Sequence, residues 1–260
     1  MNRFEAAVKT AECAALQSLD FSMFAERDIA QIALQRPEVM QDVRGHEEAI
    51  RAWLRRDDGP MLHIAHRYRL ELVTRALAFV YMDYRELRPI LQKLQPAKVA
   101  DIGCGYGMFD LFLHAEFGSE LVLIDIEETE DRHLKFRETG AGTADLMVAR
   151  RFLVANGCDR TRIVTVNPAV HDPMDHGGVD LAISLLSCGY LYPCDEYRDF
   201  FLQSVRPGGM ILLDIRTRRA HQALPGLAGL GRMRRLGTAD DGEAMRMLLQ
   251  THGASDSWAA

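Results

Sequence analysis

The sequence predicts an α/β chain in which a helical segment precedes a doubly wound, mostly parallel β-sheet with helices on both faces. Apolar runs of strand length recur from about residue 98 onward and alternate with stretches of helix length. One of them, residues 180–187, is apolar almost throughout, as expected for a strand covered on both faces. Residues 1–95 are rich in Ala, Leu, Glu, Gln and Arg and show little strand pattern. We therefore expect a helical cap over residues 1–95 and a sheet domain over residues 96–260.

Composition restricts the class of protein. With 260 residues, 48% of them hydrophobic, the chain can bury a sizeable core. A net charge of −6 gives no reason to expect nucleic acid or an anionic membrane as partner. The five cysteines show no paired metal-binding spacing, and their odd number without a signal peptide indicates reduced thiols in the cytoplasm. No apolar run is long enough to span a membrane. We expect a cytoplasmic protein that acts on a small molecule, and homodimer formation is left open.

Four helical stretches are predicted in the cap, in chain order. Ser22 is the expected N-cap of the second stretch and Pro37 its stop. The turn sequence D-D-G-P ends the third stretch, and Pro96 ends the fourth, which is either one long helix or a broken pair. The predicted helices cover residues 4–19, 23–35, 47–56 and 63–94.

The sheet domain follows with strands predicted at residues 98–102, 120–126, 162–166, 180–187 and 210–215. Helices are expected between them at residues 108–116, 143–156 and 195–205, with Gly118 and Gly157 ending the first two. The acidic loop over residues 127–142 either shapes a substrate pocket or is solvated. After residue 216 we expect one strand at 231–236 and a helix at 243–249, which would leave the sheet without its last strand.

The glycine turn after the first strand is the most informative motif. Gly103, Gly105 and Gly107 permit positive φ and let a ligand approach the backbone. Asp125 ends the next strand, where a carboxylate can accept hydrogen bonds from ribose hydroxyls. Asp101 lies just before the turn, where it would repel a pyrophosphate and attract an ammonium group. The ligand predicted from these residues is a nucleoside with a positive group, rather than a dinucleotide.

The stretch D-I-G-C-G-Y-G, the following L-V-L-I-D and the later R-P-G-G before an apolar strand resemble the class I S-adenosylmethionine-dependent methyltransferases. The resemblance spans about residues 97–216. It implies a Rossmann-like methyltransferase fold, a sheet that finishes with an antiparallel hairpin, and S-adenosyl-L-methionine as cofactor. The cofactor-binding residues that it implies are Asp101, Gly103, Cys104, Gly105, Gly107, Asp125, Ile126, Asn167 and Ser187.

The acceptor is expected beyond the carboxyl ends of the strands. Tyr190 and Tyr192 follow the fourth strand and suit a polar, ring-shaped acceptor, although Tyr192 with its following proline could simply begin the next helix. The segment lacks the [DN]-P-P-[YFW] motif of methyltransferases that act on amino groups of nucleic-acid bases. A sugar-like molecule is therefore a better match than a DNA base.

A hydroxyl acceptor needs a general base, because a neutral alcohol is a poor nucleophile. His171 and His176 follow the third strand at the appropriate edge and are the first candidates, with His63 and His66 of the cap as alternatives. For any of these histidines, a plain surface position is the competing interpretation.

Asp214 ends the fifth strand and could orient an acceptor or bind a metal. Metal-dependent methyltransferases of catechol type also bring acids from the end of the fourth strand, where this chain has Ser187 and Cys188, so no metal is expected. The segments S-L-L-S-C-G-Y-L-Y-P and I-L-L-D-I-R resemble a group of bacterial sugar O-methyltransferases. That group tends to show S-C-G-F-H-Y-P, so Leu191 occupies the position of its histidine.

These patterns predict O-methylation of a small hydroxylated molecule such as a sugar or sugar conjugate. N-methylation of a small amine and a non-catalytic cofactor-binding partner protein are the alternatives. The short junction over residues 91–96 predicts that the cap is a lid over the acceptor. Five polar residues lie at the start of the cap's last helix, namely His63, His66, Arg67, Tyr68 and Arg69. They either face the cofactor or the acceptor, or they only solvate the helix end.

Overall fold

The computed structural model describes residues 1–127, 129, 132, 134–140, 142 and 144–253. Seven strands within these residues form one sheet of order β3-β2-β1-β4-β5-β7-β6. The first five strands are parallel, and β7 runs antiparallel between β5 and β6. The predicted doubly wound, mostly parallel fold class is confirmed. The strands are β1 (Lys98–Ile102), β2 (Glu120–Ile124), β3 (Ile163–Val166), β4 (Val179–Ser184), β5 (Val205–Arg216), β6 (Gly231–Ala239) and β7 (Ala244–Thr251).

Helices cover both faces of the sheet, and the first six form the cap. Short 3₁₀ turns join several of the elements. Within the described part of the chain, no helix is both long enough and apolar enough to cross a bilayer. The helices are α1 (Arg3–Ala11), α2 (Ala14–Gln17), α3 (Glu26–Gln35), α4 (His46–Leu54), α5 (Gly59–Arg67), α6 (Arg69–Leu94), α7 (Met108–Phe117), α8 (Leu146–Ala155), α9 (Arg198–Ser204) and α10 (Ala220–Ala228).

The cap follows the predicted order of helices, with different boundaries. The long stretch is a broken pair, because Tyr68 leaves the helical region with φ −113° between α5 and α6. Pro60 lies in the first turn of α5, where its missing N–H costs no hydrogen bond. Ser22 is not the cap of α3. The backbone N–H of Ala25 instead donates to the Asp28 carboxylate at 2.7 Å.

The end of the sheet differs from the prediction. The sequence predicts a helix over residues 243–249, but residues 244–249 lie in β7, which pairs with β5 from Met210↔Gln250 to Arg216↔Ala244. Met, Leu, Arg and Gln favour helices locally, so the local pattern points away from a strand. Pairing on both sides with β5 and β6 overrides that preference. The sheet therefore has the final antiparallel pair that the family resemblance implies.

One hydrophobic core joins the cap to the sheet. Phe24 and Leu77 of the cap region belong to the same buried cluster as Leu123 of β2, Phe152 of α8 and Leu212 of β5. A second cluster covers the opposite face of the sheet beneath α9 and α10. The cap helices thus share their core with one face of the sheet, as a short junction between them requires.

A buried ion network connects the cap to β5 and β7 of the sheet. Asp83 of α6 lies 2.8 Å from the Arg3 guanidinium, 3.2 Å from that of Arg246 in β7 and 3.4 Å from that of Arg36. Burial alone would raise the pKa of Asp83, but the three guanidinium groups lower it below its ordinary value. Arg246 also donates two hydrogen bonds of 2.8 Å to Asp214. The Asp214 carboxylate is therefore engaged by an arginine, not presented to an acceptor.

Candidate functional site

The glycine turn adopts the predicted backbone. Gly103, Gly105 and Gly107 have φ of 74°, 55° and 69°, in the left-handed region that favours glycine. A Cβ on Gly103 would lie 1.9 Å from the Ser187 hydroxyl oxygen, so only glycine lets the turn approach the end of β4. A Cβ on Gly105 would lie 3.0 Å from Oε1 of Gln35 in α3. The turn is thus enclosed between the sheet and the cap.

Asp125 follows β2 and faces this turn. One oxygen of its carboxyl accepts the backbone N–H of Gly105 at 2.7 Å. Burial raises the pKa of Asp125 to about 7, although the N–H groups of Gly105 and Ile126 favour the ionised form. The carboxyl therefore changes its charge close to neutral pH.

The turn and Asp125 line a cavity of about 150 Å³ at the carboxyl ends of β1, β2 and β4. The cap closes it through Ile32, Gln35 and Arg36 and through Ala76 and Val80 of α6. Its walls thus combine two carboxyl groups with glycine backbone, a guanidinium and apolar side chains. The predicted cofactor-binding residues that line it are Asp101, Gly103, Cys104, Gly105, Asp125 and Ser187.

The remaining predicted cofactor-binding residues lie elsewhere. Gly107 is the N-cap of α7, and a Cβ there would lie 3.2 Å from Leu153 of α8. Ile126 lines a separate depression with Pro168, Met174 and Tyr197. The Asn167 amide donates to Glu127 at 3.2 Å, and its oxygen accepts the backbone N–H of Ala169 at 3.0 Å. The structure does not bring Ile126 or Asn167 into the cavity.

The candidate histidines are also outside the cavity. His171 is exposed and His176 is half-buried, both in the segment between β3 and β4, and neither is among the residues that line the cavity. His63 is exposed, and Nδ1 of His66 lies 2.6 Å from the Glu26 carboxylate. The geometry therefore gives no support to any of them as the general base.

The other polar residues at the start of α6 hold the cap together. The Arg69 guanidinium donates to the backbone carbonyl of Phe24, and the Arg67 guanidinium lies 5.5 Å from the Tyr68 ring centroid. None of these residues lines the cavity. Among the described residues, Gln35 and Arg36 are the polar groups that the cap brings to it.

The two tyrosines after β4 are buried and shape the loop that carries them. The Tyr190 hydroxyl contacts the Asp240 carboxylate, and the Arg216 guanidinium lies 4.0 Å from its ring centroid. The Tyr192 hydroxyl bonds to Ser187, and burial raises the pKa of Tyr192 well above its usual value. Leu191, between them, lines the cavity instead. Leu191 stands where the group of sugar O-methyltransferases that this sequence resembles tends to have a histidine. The side chain at that position therefore faces the cavity, but it is apolar.

A second, smaller cavity of about 30 Å³ adjoins the first and shares Arg36 and Leu186 with it. Glu38 lies in its wall, where burial raises the pKa of the carboxyl even though the Arg36 guanidinium is 3.4 Å away. Leu186, Asp240 and Asp241 have φ of 55°, 48° and 48°, an unfavourable conformation for residues other than glycine. The lining residues are Arg3, Phe4, Arg36, Glu38, Gln41, Phe79, Leu186, Asp240 and Asp241.

Sequence reasoning missed this second cavity because its walls come from distant segments. Glu38 lies in the cap, Leu186 follows β4, and Asp240 lies in the turn between β6 and β7. No local pattern marks Glu38, and the D-D-G sequence at 240–242 signals only a turn. Within the described ranges, no group of three or more His, Cys, Asp and Glu side chains is placed to hold a metal ion.

Comparisons with known proteins give likeness in fold only. No protein-family model matches the sequence, and no curated protein matches it. A candidate O-methyltransferase of Nostoc punctiforme PCC 73102 superposes with a TM-score of 0.49 at 11% identity, over 68% of this chain and 58% of that protein. The chain thus spans little more than half of the Nostoc protein.

Two further solved structures are similar at the same level. An O-methyltransferase family protein from Burkholderia thailandensis has a TM-score of 0.44 at 16% identity, over 87% of this chain and 73% of that one. The S-adenosylmethionine-dependent methyltransferase SibL has a TM-score of 0.47 at 15% identity, over 71% of this chain and 59% of that one.

Proposed function

We propose that this chain is an S-adenosylmethionine-dependent methyltransferase that acts on a hydroxyl of a small molecule, a sugar or sugar conjugate being the preferred class. The observation that carries the proposal is the cavity in which Asp101 and Asp125 face a glycine turn beneath a helical cap. Asp125 suits a ribose, and the Asp101 carboxyl beside the turn disfavours a phosphate there and favours a cationic group.

The residues present fit this cofactor. Asp125 is placed to accept the ribose hydroxyls while it holds the Gly105 N–H. Asp101 offers a carboxyl to an ammonium group, and Arg36 offers a guanidinium to the cofactor carboxylate from the opposite wall. When bound, the cofactor supplies an electrophilic methyl group. The protein orients the acceptor and excludes water, for which a cavity closed by α3 and α6 is suited.

The reacting hydroxyl of the acceptor is assigned to the second cavity, because about 30 Å³ holds a polar group but not a whole sugar, and the general base is assigned to Glu38. The two cavities share Arg36 and Leu186, so a molecule in one abuts a molecule in the other. Burial raises the pKa of Glu38, which strengthens it as a base toward an acceptor hydroxyl. Glu38 would take the proton of that hydroxyl while the hydroxyl oxygen bonds to the transferred methyl carbon and the methyl–sulfur bond breaks, with S-adenosylhomocysteine as the leaving group. The Arg36 guanidinium, 3.4 Å from Glu38, would hold its carboxylate in place before the transfer.

The protein is expected to bind S-adenosylmethionine and S-adenosylhomocysteine and not NAD. Asp101, just before the glycine turn, would lie against the NAD pyrophosphate and repel it. Titration calorimetry with the three ligands under identical conditions measures this selectivity. Binding of NAD with a micromolar dissociation constant would contradict the cofactor assignment.

Turnover tests both the activity and its base. A panel of hydroxylated metabolites is incubated with S-adenosylmethionine, and S-adenosylhomocysteine formation identifies an acceptor. With that acceptor, Glu38→Gln is expected to lower kcat by about 10²–10⁴-fold, since the amide cannot accept the proton. Its affinity for S-adenosylhomocysteine should stay unchanged. Glu47→Gln on the exposed side of α4 is the matched control, and equal loss in both variants would remove Glu38 from the chemistry.

A small amine is the second candidate acceptor. Acids outnumber arginines in the lining of the second cavity, three to two, so it would also attract an ammonium group. A neutral amine needs no strong base. In that case Glu38→Gln should raise KM more than it lowers kcat, and the rate should follow the pKa of the amine.

A non-catalytic role, which the apolar Leu191 in the cavity wall favours, would show cofactor binding without turnover on any acceptor.

A further inference from the structure

We propose that Asp110 and Asp101 form a proton-sharing carboxyl pair beneath the glycine turn, and that Asp110 is a positioning residue through which binding of the cofactor's ammonium group releases a proton. The inference rests on the proposed function, because it assumes a ligand with an ammonium group in the first cavity. It concerns a residue that does not itself line that cavity.

The pair is defined by burial and contact. Asp110 lies in the first turn of α7 and is 0% exposed, and Asp101 in β1 is 6% exposed. Their carboxyl groups are in hydrogen-bonding contact. While both groups are ionised, neither buried oxygen of Asp110 has a hydrogen-bond donor among the described residues, so the contact becomes a hydrogen bond only when one of the two carboxyl groups carries a proton. Two carboxylates in contact in a buried site cannot both be ionised, so one proton must lie between them.

Burial outweighs the groups that compensate the pair, although the backbone N–H of Asp110 favours its ionised form. Burial, reinforced by Asp110 and Asp125, raises the pKa of Asp101 well above its usual value, and burial raises the pKa of Asp110 to about 7. Burial also raises the pKa of the nearby Cys104 and Cys158 thiols, so both stay neutral below pH 8. Among the described groups named here, Asp125 also has a pKa raised to about 7, so it titrates in the same range as Asp110.

The two carboxyl groups differ in access. Asp101 lines the cavity with Asp125 and the Arg36 guanidinium, whereas Asp110 is fully buried and does not line it. An ammonium group that reaches the cavity meets Asp101 and stabilises its ionised form. The shared proton then leaves to the buffer, and affinity for the ammonium ligand rises with pH until the free protein has lost that proton.

The Asp110→Asn variant distinguishes a role of Asp110 in proton release from a merely structural role in packing. The amide of Asp110→Asn can donate to Asp101, as the protonated carboxyl does, but it adds no negative charge. Asp101 is then ionised before the ligand arrives. The variant is expected to release fewer protons on binding and to bind the ammonium ligand more tightly below neutral pH, by up to about tenfold for each unit by which the pKa of Asp101 falls. A merely structural role for Asp110 predicts no gain in affinity.

The experiment uses titration calorimetry of the full-length chain at pH 6.5 in buffers of different ionisation enthalpy. The probes are S-adenosylhomocysteine and 5′-methylthioadenosine, which keeps the ribose and lacks the ammonium group. The wild-type protein should release more protons with the first probe, and Asp110→Asn should remove that difference. Glu120→Gln at the exposed start of β2 is the matched control, in which the difference should persist, because Glu120 lies away from the cavity.

Equal proton release with the two probes in the wild-type protein, or an unchanged difference in Asp110→Asn, would overturn the inference. If Asp110→Asn does not fold, Asp101→Asn provides the same readout, with the difference lost and S-adenosylhomocysteine bound more weakly. Failure of both probes to bind the wild-type protein would overturn the proposed function and this inference with it. If both probes bind the wild-type protein and release equal numbers of protons, the inference is overturned and the proposed function is not.

Discussion

Replacing Asp125 with alanine is expected to weaken S-adenosylhomocysteine binding at pH 8 by at least about a hundredfold. The ribose loses two hydrogen bonds to a charged acceptor, each worth about 1.5–3 kcal/mol. Because burial raises the pKa of Asp125 to about 7, its carboxyl is ionised at pH 8 and mostly protonated at pH 6. The loss should therefore be larger at pH 8 than at pH 6, and calorimetry at the two values measures both effects.

Glu120→Ala is the matched control for that experiment. Glu120 begins β2 at the end of the strand away from the cavity and is exposed. Its removal should leave the affinity unchanged at both pH values. If Asp125→Ala bound the ligand as tightly as the wild-type protein, Asp125 would have no place in the cofactor site.

Replacing Asp83 with alanine should destabilise the fold by about 3–5 kcal/mol, the usual cost of removing one partner from a buried ion pair. Asp83 is 1% exposed and lies against three arginines, of which Arg246 is itself buried. Without Asp83, Arg246 keeps Asp214, but Arg36 and Arg3 lose the buried carboxylate that they share. The midpoint of thermal unfolding should fall by about 10 °C in a chain of this size.

An exposed ion pair is the comparison for Asp83. Glu48 lies 2.9 Å from the Arg51 guanidinium on the surface of α4, so Glu48→Ala should change the midpoint little. Because Arg36 lines both cavities, Asp83→Ala should also weaken S-adenosylhomocysteine binding, whereas Glu48→Ala should not. Equal midpoints for the two variants would show that the buried network contributes nothing beyond a surface pair.

Local sequence patterns alone predicted the glycine turn, the position of Asp125 opposite it and the first strand. The predicted strand 98–102 is the observed β1, and the three glycines adopt the left-handed backbone inferred for them. A strand, a tight turn and the acid after the next strand follow one another along the chain. Turn chemistry and hydrophobic periodicity act over such short distances, so they can be read without the tertiary structure.

The tertiary structure decided what the rest of the site contains. Residues 244–251 form a strand because two neighbouring strands pair with them, against their helical preference. Gln35, Arg36 and Glu38 reach the sheet edge because α3 and α6 pack on one of its faces, not because of any pattern around them. The histidines that follow β3 lie outside the cavity, although they follow a strand that ends at the same edge. Proximity between distant segments is set by long-range burial and strand pairing, and no window of sequence encodes it by itself.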